Sequence, residues 1–177
     1  MKKRNIVGAA VLGVVAIALL QSCKTIPKGA VAVKPFDINK YKGKWYEIAR
    51  LDFRFERNLK NTTAEYSFNS NGTIRVVNRG YNYKTHAWKE SVGKAKFRGD
   101  KQEARLKVSF FGPFYAGYNV IGIDPDYKYA LVAGKNLDYL WLLSREKTMP
   151  GNIKQEYLQK ATRLGYNVNK LVWVQQE

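Results

Sequence analysis

The chain has 177 residues, 45% of them hydrophobic and 14% aromatic, with 5 Pro. That describes one packed domain, two at most, and excludes a disordered or low-complexity protein. Lys and Arg number 31 against 14 Asp and Glu, a formal charge of +17, while 1 Cys and 1 His exclude an intramolecular disulfide and all but exclude a Cys/His zinc cluster.

Lys2, Lys3 and Arg4 precede an uncharged apolar run, Ile6 to Leu20. That run is short for a membrane span and right for a signal peptide. It stops at Leu20-Gln21-Ser22-Cys23, which resembles the bacterial lipobox, whose Cys is diacylated on sulfur and becomes the new N-terminus. Gln21 is a less usual residue there. A plain cleaved signal with a leftover thiol is the alternative; the only cysteine sitting where the apolar run ends favours the lipoprotein. The expected division is a signal peptide over 1–22, a lipidated tether over 23–35 and one domain over 36–177. Two or more acyl chains anchor stably where one holds weakly, at about 0.8 kcal/mol per buried CH₂. Lys24 in place of Asp resembles enterobacterial sorting to the outer membrane. Loss of 22 residues removes three basic and no acidic side chains, leaving 155 residues at +14.

From Gly43 onward the dominant period is two. The spacing predicts strands over Lys44–Leu51, Thr62–Asn69, Thr73–Tyr81, Trp88–Phe97, Ala104–Phe111, Gly117–Ile123, Tyr129–Gly134 and Tyr139–Arg145. Asn71-Gly72 predicts a tight hairpin turn with φ > 0, Tyr83 to His86 another turn, and Gly112-Pro113 breaks the fifth strand. Eight strands on short turns predict an all-β, up-and-down antiparallel sheet or barrel. Ile153, Tyr157, Leu158, Ala161 and Leu164 recur at helical spacing, with Asn152 and Gln155 as a capping box and Gly165 as the stop. A short final strand, Lys170–Gln175, follows. No internal repeat, linker or second domain is visible.

Leu106, Val108 and Phe110 share one strand face and Arg105, Lys107 and Ser109 the other, so the apolar face lines the interior. An eight-stranded barrel is filled by side chains or holds one small ligand. Ser91, Gly93 and Ala95 share a face that either leaves room inside or relieves crowding at a bend.

Gly43-Lys44-Trp45 resembles the Gly-x-Trp that opens the lipocalins, and Arg145, closing Tyr139-Leu140-Trp141-Leu142-Leu143-Ser144-Arg145, resembles that family's Arg at the end of the last barrel strand. With the lipobox, the strand order and the terminal helix, the chain is similar to the bacterial outer-membrane lipocalins and to apolipoprotein D over about Phe36 to Gln176. The resemblance implies an eight-stranded barrel with a C-terminal helix, with Gly43, Trp45 and Arg145 structural: Trp45 plugs the closed end and Arg145 stacks on its indole, a contact of about 1–2 kcal/mol where desolvated. By parity, Trp141 then faces inward with Arg145, and Glu47 and Ala49 with Trp45. Trp141 is the foremost ligand-contact candidate, a pure core aromatic being the alternative. Glu47 fits a buried ion pair with an Arg or Lys. Phe114 and Tyr115, in the loop at the mouth, either grip a ligand or pack on the sheet edge or in an oligomer contact; Ser91 is a second donor if it faces inward. Leu106, Val108 and Phe110 complete the candidate set.

The implied ligand is a fatty acid or lysophospholipid, whose chain gains roughly 25 cal/mol per Å² buried while the +14 surface suits an anionic head or membrane face. The implied place is the bacterial outer membrane, anchored through acylated Cys23, with a homodimer as one open arrangement. No metal, cofactor or nucleic acid is expected. An enzyme lacks a candidate: Cys23 is consumed by the anchor and His86 lies in a turn without an obvious partner. An integral membrane barrel fits poorly, since several strands are shorter than the 9–11 residues needed. An envelope scaffold with a filled barrel, or a carrier of a retinoid, haem or another hydrophobe, stays open.

Overall fold

Period-two alternation becomes eight strands that each pair antiparallel with the next: β1 (Gly43–Leu51), β2 (Leu59–Phe68), β3 (Ile74–Asn82), β4 (Ala87–Phe97), β5 (Arg105–Phe111), β6 (Phe114–Ile123), β7 (Tyr129–Ala133) and β8 (Leu140–Ser144). The computed structural model describes residues 25–177, so the expected signal segment and Cys23 lie outside the described residues. β1 closes the ring, pairing with β2 through Gly43–Tyr46 and with β8 through Tyr46–Arg50. β9 (Leu171–Trp173) adds to β1 at Ala49–Leu51, outside the barrel. Connections alternate between two ends. The β1–β2, β3–β4, β5–β6 and β7–β8 loops form an open mouth, and the other three stand at the closed end.

Local chemistry explains the turns. Gly72 takes φ +75 between β2 and β3, and Asn71 Oδ1 accepts from the Thr73 amide. Between β3 and β4, Asn82 Oδ1 accepts from the amides of Lys84 and Thr85, and His86 takes φ +54 in an exposed position. The sixth strand starts earlier than the spacing predicts, because Phe114 pairs with Phe111 across the Gly112-Pro113 turn.

Two cores sit on opposite sides of the sheet. Inside the barrel, Trp45, Tyr66, Val76, Leu106, Val132 and Leu143 pack with Phe36 and Tyr41. Outside, helix α2 (Gly151–Arg163) lays Tyr157 and Ala161 over Ile48, Ala49, Ile121, Leu131 and Leu142, with Ile153, Leu158 and Leu164 at its edge. No capping box forms. Pro150 is the N-cap and makes no side-chain bond, while Asn152 and Gln155, the second and fifth residues of the helix, are exposed. Its ψ of 145 already gives the chain the extended entry that a helix start requires. Gly165, at φ +93, ends the helix as expected.

The closed end is built on Trp45. A short helix α1 (Ile38–Tyr41), capped by Asp37 Oδ1 on the Asn39 amide, brings the Tyr41 carbonyl to Trp45 Nε1 at 2.8 Å. The Arg145 guanidinium lies 3.8 Å from the Trp45 ring centroid. Its N–H groups donate to the carbonyls of Lys44, Lys40, Tyr41, Lys42 and Tyr127. Gly43 holds φ +96, and a Cβ there would sit 3.4 Å from Arg145 Nη1.

The parity expected for β1 holds through Glu47 and then fails. A register shift between Glu47 and Ala49 sets Ala49 opposite Leu142 and Arg50 opposite Trp141. Ala49 therefore faces helix α2, not the interior, and Arg50 points inside: a bulge inserts one residue, and every later side chain changes face. The expected tether is laid against the barrel over its described part. Val33 donates to the Val120 carbonyl at 2.9 Å and accepts from the Ala104 amide at 2.9 Å, and Ala32 is buried.

The Trp45–Arg145 arrangement predicts that Arg145→Met lowers the unfolding free energy by about 3 kcal/mol, combining the lost stacking with stranded carbonyls. Gly43→Ala costs about 1 kcal/mol through its positive φ. Urea denaturation with an unchanged m-value checks both; a loss under about 0.5 kcal/mol for Arg145→Met contradicts the role of the stack.

Candidate ligand-binding site

Above the closed-end core the barrel interior opens into a cavity of about 650 Å³ that leads to the mouth, within the roughly 300–1,000 Å³ usual for small-ligand sites. Val76, Ala95, Leu106, Val108 and Phe110 make apolar walls. Ser91 and Ala95 both line it, so their shared strand face is inward. Gly93 between them admits the neighbouring strand: a Cβ there would come 2.7 Å from the Ser109 carbonyl and 2.8 Å from the Phe110 ring. Small residues on β4 thus leave width at Ser91 and Ala95 and accept Phe110 at Gly93.

The floor is a tyrosine trio. Tyr118 Oη lies 2.5 Å from Tyr41 Oη and 2.7 Å from Tyr66 Oη. Burial pushes all three phenols above their ordinary range, so they are neutral donors and acceptors near neutral pH.

One wall is charged. Arg50 Nη1 donates to Glu47 Oε1 at 2.6 Å, and Nη2 donates to the Glu56 carbonyl at 2.6 Å. Trp141 Nε1 donates to Glu56 Oε2 at 3.0 Å, which itself lies 3.8 Å from Arg50 Nε. Arg50 is 1% exposed and Glu47 4%. Glu47 is therefore in the buried ion pair that its inward parity suggested. Arg50 and Glu56 escaped the sequence reading. Arg50 was hidden by the bulge, although an arginine in the apolar run Ile48–Leu51 was itself a signal. Glu56 comes from the β1–β2 loop, where period-two patterning says nothing.

All seven candidate contact residues line the cavity: Leu106, Val108, Phe110, Ser91 and Trp141 along its walls, and Phe114 and Tyr115 at the rim. Trp141 is oriented by its bond to Glu56 and flanked by Phe53, edge-on at 5.8 Å, and by Tyr139, stacked at 6.3 Å. Tyr115 reaches the rim but turns its ring to the outer face of β5, 5.0 Å from Lys107 Nζ.

A barrel stoppered at one end, with an apolar cup opening at the other, is the architecture of a carrier for small hydrophobic molecules. Residues 36–176 match the lipocalin-like domain family. The chain is 52% identical over 168 residues to the outer membrane lipoprotein Blc of Citrobacter freundii, covering 94% of this chain and 95% of that protein. It is 49% identical over 176 residues to Blc of Escherichia coli K12, covering 99% and 98%. Among solved structures, Per a 4, a major allergen of cockroaches, superposes with a TM-score of 0.67 at 20% identity, over 86% of this chain and 96% of that one. The chain belongs to the lipocalin family, beside the outer-membrane lipoproteins of enterobacteria.

The charged wall makes stability pH-dependent. Burial, then the Glu47 charge, lifts the Glu56 carboxyl well above the usual carboxylate range; burial also lifts Glu47, against the pull of Arg50. The folded protein thus holds a proton that the unfolded chain releases near pH 4.3. Stability from this site is full below that pH and declines as pH rises toward the folded value, with a slope up to about 1.4 kcal/mol per pH unit per proton. Glu56→Gln, which keeps an acceptor for Trp141, is expected to flatten the decline in urea titrations between pH 4 and 8. A wild-type slope no steeper than the variant's refutes it.

Proposed function

We propose that this protein is a lipid-anchored lipocalin of the bacterial outer membrane that binds fatty acids or lysophospholipids and stores or transports them for membrane maintenance. The carrying observation is the open apolar cavity of about 650 Å³, which suits one acyl chain and speaks against a scaffold with a filled barrel. Burying such a chain contributes roughly 25 cal/mol per Å². The placement of charge supports an orientation. Arg50 is already engaged by Glu47 and by the Glu56 carbonyl, so this buried guanidinium is not offered to a carboxylate or phosphate. Lys89 and Lys135 line the mouth and are exposed. The tail enters the cup and the anionic head stays at the rim. The protein acts by binding, without chemistry on the lipid, and acylation of Cys23 holds it at the membrane. The outer-membrane lipoproteins it resembles at 49–52% identity support that placement.

Native mass spectrometry of the mature Cys23→Ser chain against fatty acids and lysophospholipids is expected to show one-to-one adducts whose lipid leaves unchanged in mass. Val108→Arg, which places a cation in the apolar wall, is expected to weaken binding at least roughly tenfold, equivalent to about 1.4 kcal/mol. Ala116→Trp, at the exposed rim, is expected to obstruct entry without touching the core. Absence of any lipid adduct from the folded wild-type domain defeats the proposal.

A further inference from the structure

Among the described residues, the three most exposed aromatic rings stand together at the mouth. Phe114 is 78% exposed, Phe111 68% and Phe55 61%. Phe55 and Phe111, from different loops, bring their ring centroids to 6.2 Å, and Phe111 pairs with Phe114 across the β5–β6 hairpin. Tyr83 and Leu137 extend the exposed apolar rim into the other two mouth loops. The closed end buries its main aromatic cluster, Phe36, Tyr41 and Trp45. An exposed aromatic cluster on one end of a barrel marks a surface that something covers. Basic side chains share the same loops, Arg54, whose guanidinium lies 5.1 Å from the Phe55 centroid, with Lys84 and Lys135, and Lys89 stands at the mouth end of β4. Of the exposed acidic groups there, Asp52 is engaged by Arg57.

The path of the N-terminal segment says which partner covers it. The Thr25 carbonyl accepts from Asn119 Nδ2 at 2.8 Å on the outer flank of β6. It lies where Gly117 has no side chain: a Cβ there would come within 2.5 Å of it and 3.3 Å of the Lys135 amide nitrogen. Lys135 belongs to the mouth loop between β7 and β8. Thr25, where the described chain begins, therefore lies on the mouth side of the barrel's flank, two residues along the sequence from Cys23.

We infer that the rim is a membrane-docking surface: Phe55, Phe111 and Phe114 seat in the headgroup layer of an anionic phospholipid bilayer, with the cavity mouth facing the membrane. Exposed phenylalanine rings gain by burial at the headgroup/acyl boundary, and basic side chains are drawn to anionic headgroups. The inference rests on the lipid-anchor reading for its geometry, because acyl chains at Cys23 then enter the leaflet beside the rim. A lipid passes between bilayer and cup without crossing open water.

The test uses the mature Cys23→Ser chain, so that the rim alone supplies membrane contact. Gly112→Cys, at the mouth with open space around it, and Ser70→Cys, in the exposed closed-end hairpin, each take one environment-sensitive dye. Vesicles of phosphatidylethanolamine and phosphatidylglycerol are added. The expected result is a blue shift, and quenching by spin-labelled lipid, at position 112 and not at position 70. Phe111→Ser with Phe114→Ser is expected to lower vesicle partitioning roughly tenfold with an unchanged circular dichroism spectrum. Equal responses at the two positions, no response at 112, or partitioning indifferent to the two phenylalanines overturns the inference. A shift at 112 that grows with protein concentration without vesicles also overturns it and assigns the rim to a second copy of this chain. Flotation of the acylated chain carrying Phe111→Ser and Phe114→Ser, lost when Cys23→Ser is added, reads the anchor separately from the rim.

Discussion

A β-barrel has two open ends, and it becomes a cup only if one of them is sealed. Here the seal is the Arg145 guanidinium stacked 3.8 Å from the Trp45 ring centroid. A planar cation meets the electron-rich face of an indole. Its N–H groups meanwhile satisfy backbone carbonyls in the Lys40–Lys44 stretch and at Tyr127, so the stack joins the entry of β1, the exit of β8 and the β6–β7 loop. Gly43 is part of the same device, since its positive φ turns the chain under the arginine. Floor, cavity and mouth are all defined relative to this seal.

The second determinant is one extra residue. The bulge in β1 sends Ile48 and Ala49 to the helix side and turns Arg50 inward, so an apolar cup acquires a buried guanidinium and two carboxyls. Removing three such groups from water is costly unless they satisfy one another. They do so in part: Glu47 and the Glu56 carbonyl take the arginine, and Trp141 takes the Glu56 side chain. The wall is polar yet internally engaged, and the free cations stand outside at the rim. This separation gives the cavity a direction, apolar depth below and basic edge above.

The same polarity runs through the outside of the molecule. β3, β4 and β5 carry Arg75, Glu90, Lys94, Lys96, Arg105 and Lys107 on the face away from the cavity. Those side chains belong in water, and a barrel surrounded by lipid would not tolerate them at its waist. Exposed aromatic surface is concentrated at the mouth, where the β6 flank also receives the N-terminal segment. The cavity opening, the exposed phenylalanines and the start of the described chain thus fall on one end of the barrel, and the sealing stack falls on the other.

Period two, the turn residues and the helical spacing of Ile153 to Leu164 were enough to name eight strands and a helix in order, because each signal is local. The inward set Leu106, Val108 and Phe110, together with Trp141, was legible for the same reason: within a regular strand, parity propagates from one residue to the next. Gly43, Trp45 and Arg145 were legible as a motif at fixed places in the strand order. What only the tertiary structure decided was non-local. The bulge arises from the pairing of β1 with β8 and reversed the faces of Ala49 and Arg50. Glu56 reaches the cavity from a loop without periodicity. The stretch from Thr25 to Lys34, patternless in sequence, takes its place because β6 carries no side chain at Gly117 and because Val33 finds backbone partners at Ala104 and Val120. Alternation tells a side chain which face of its own strand it occupies, but register and loop closure decide what stands opposite.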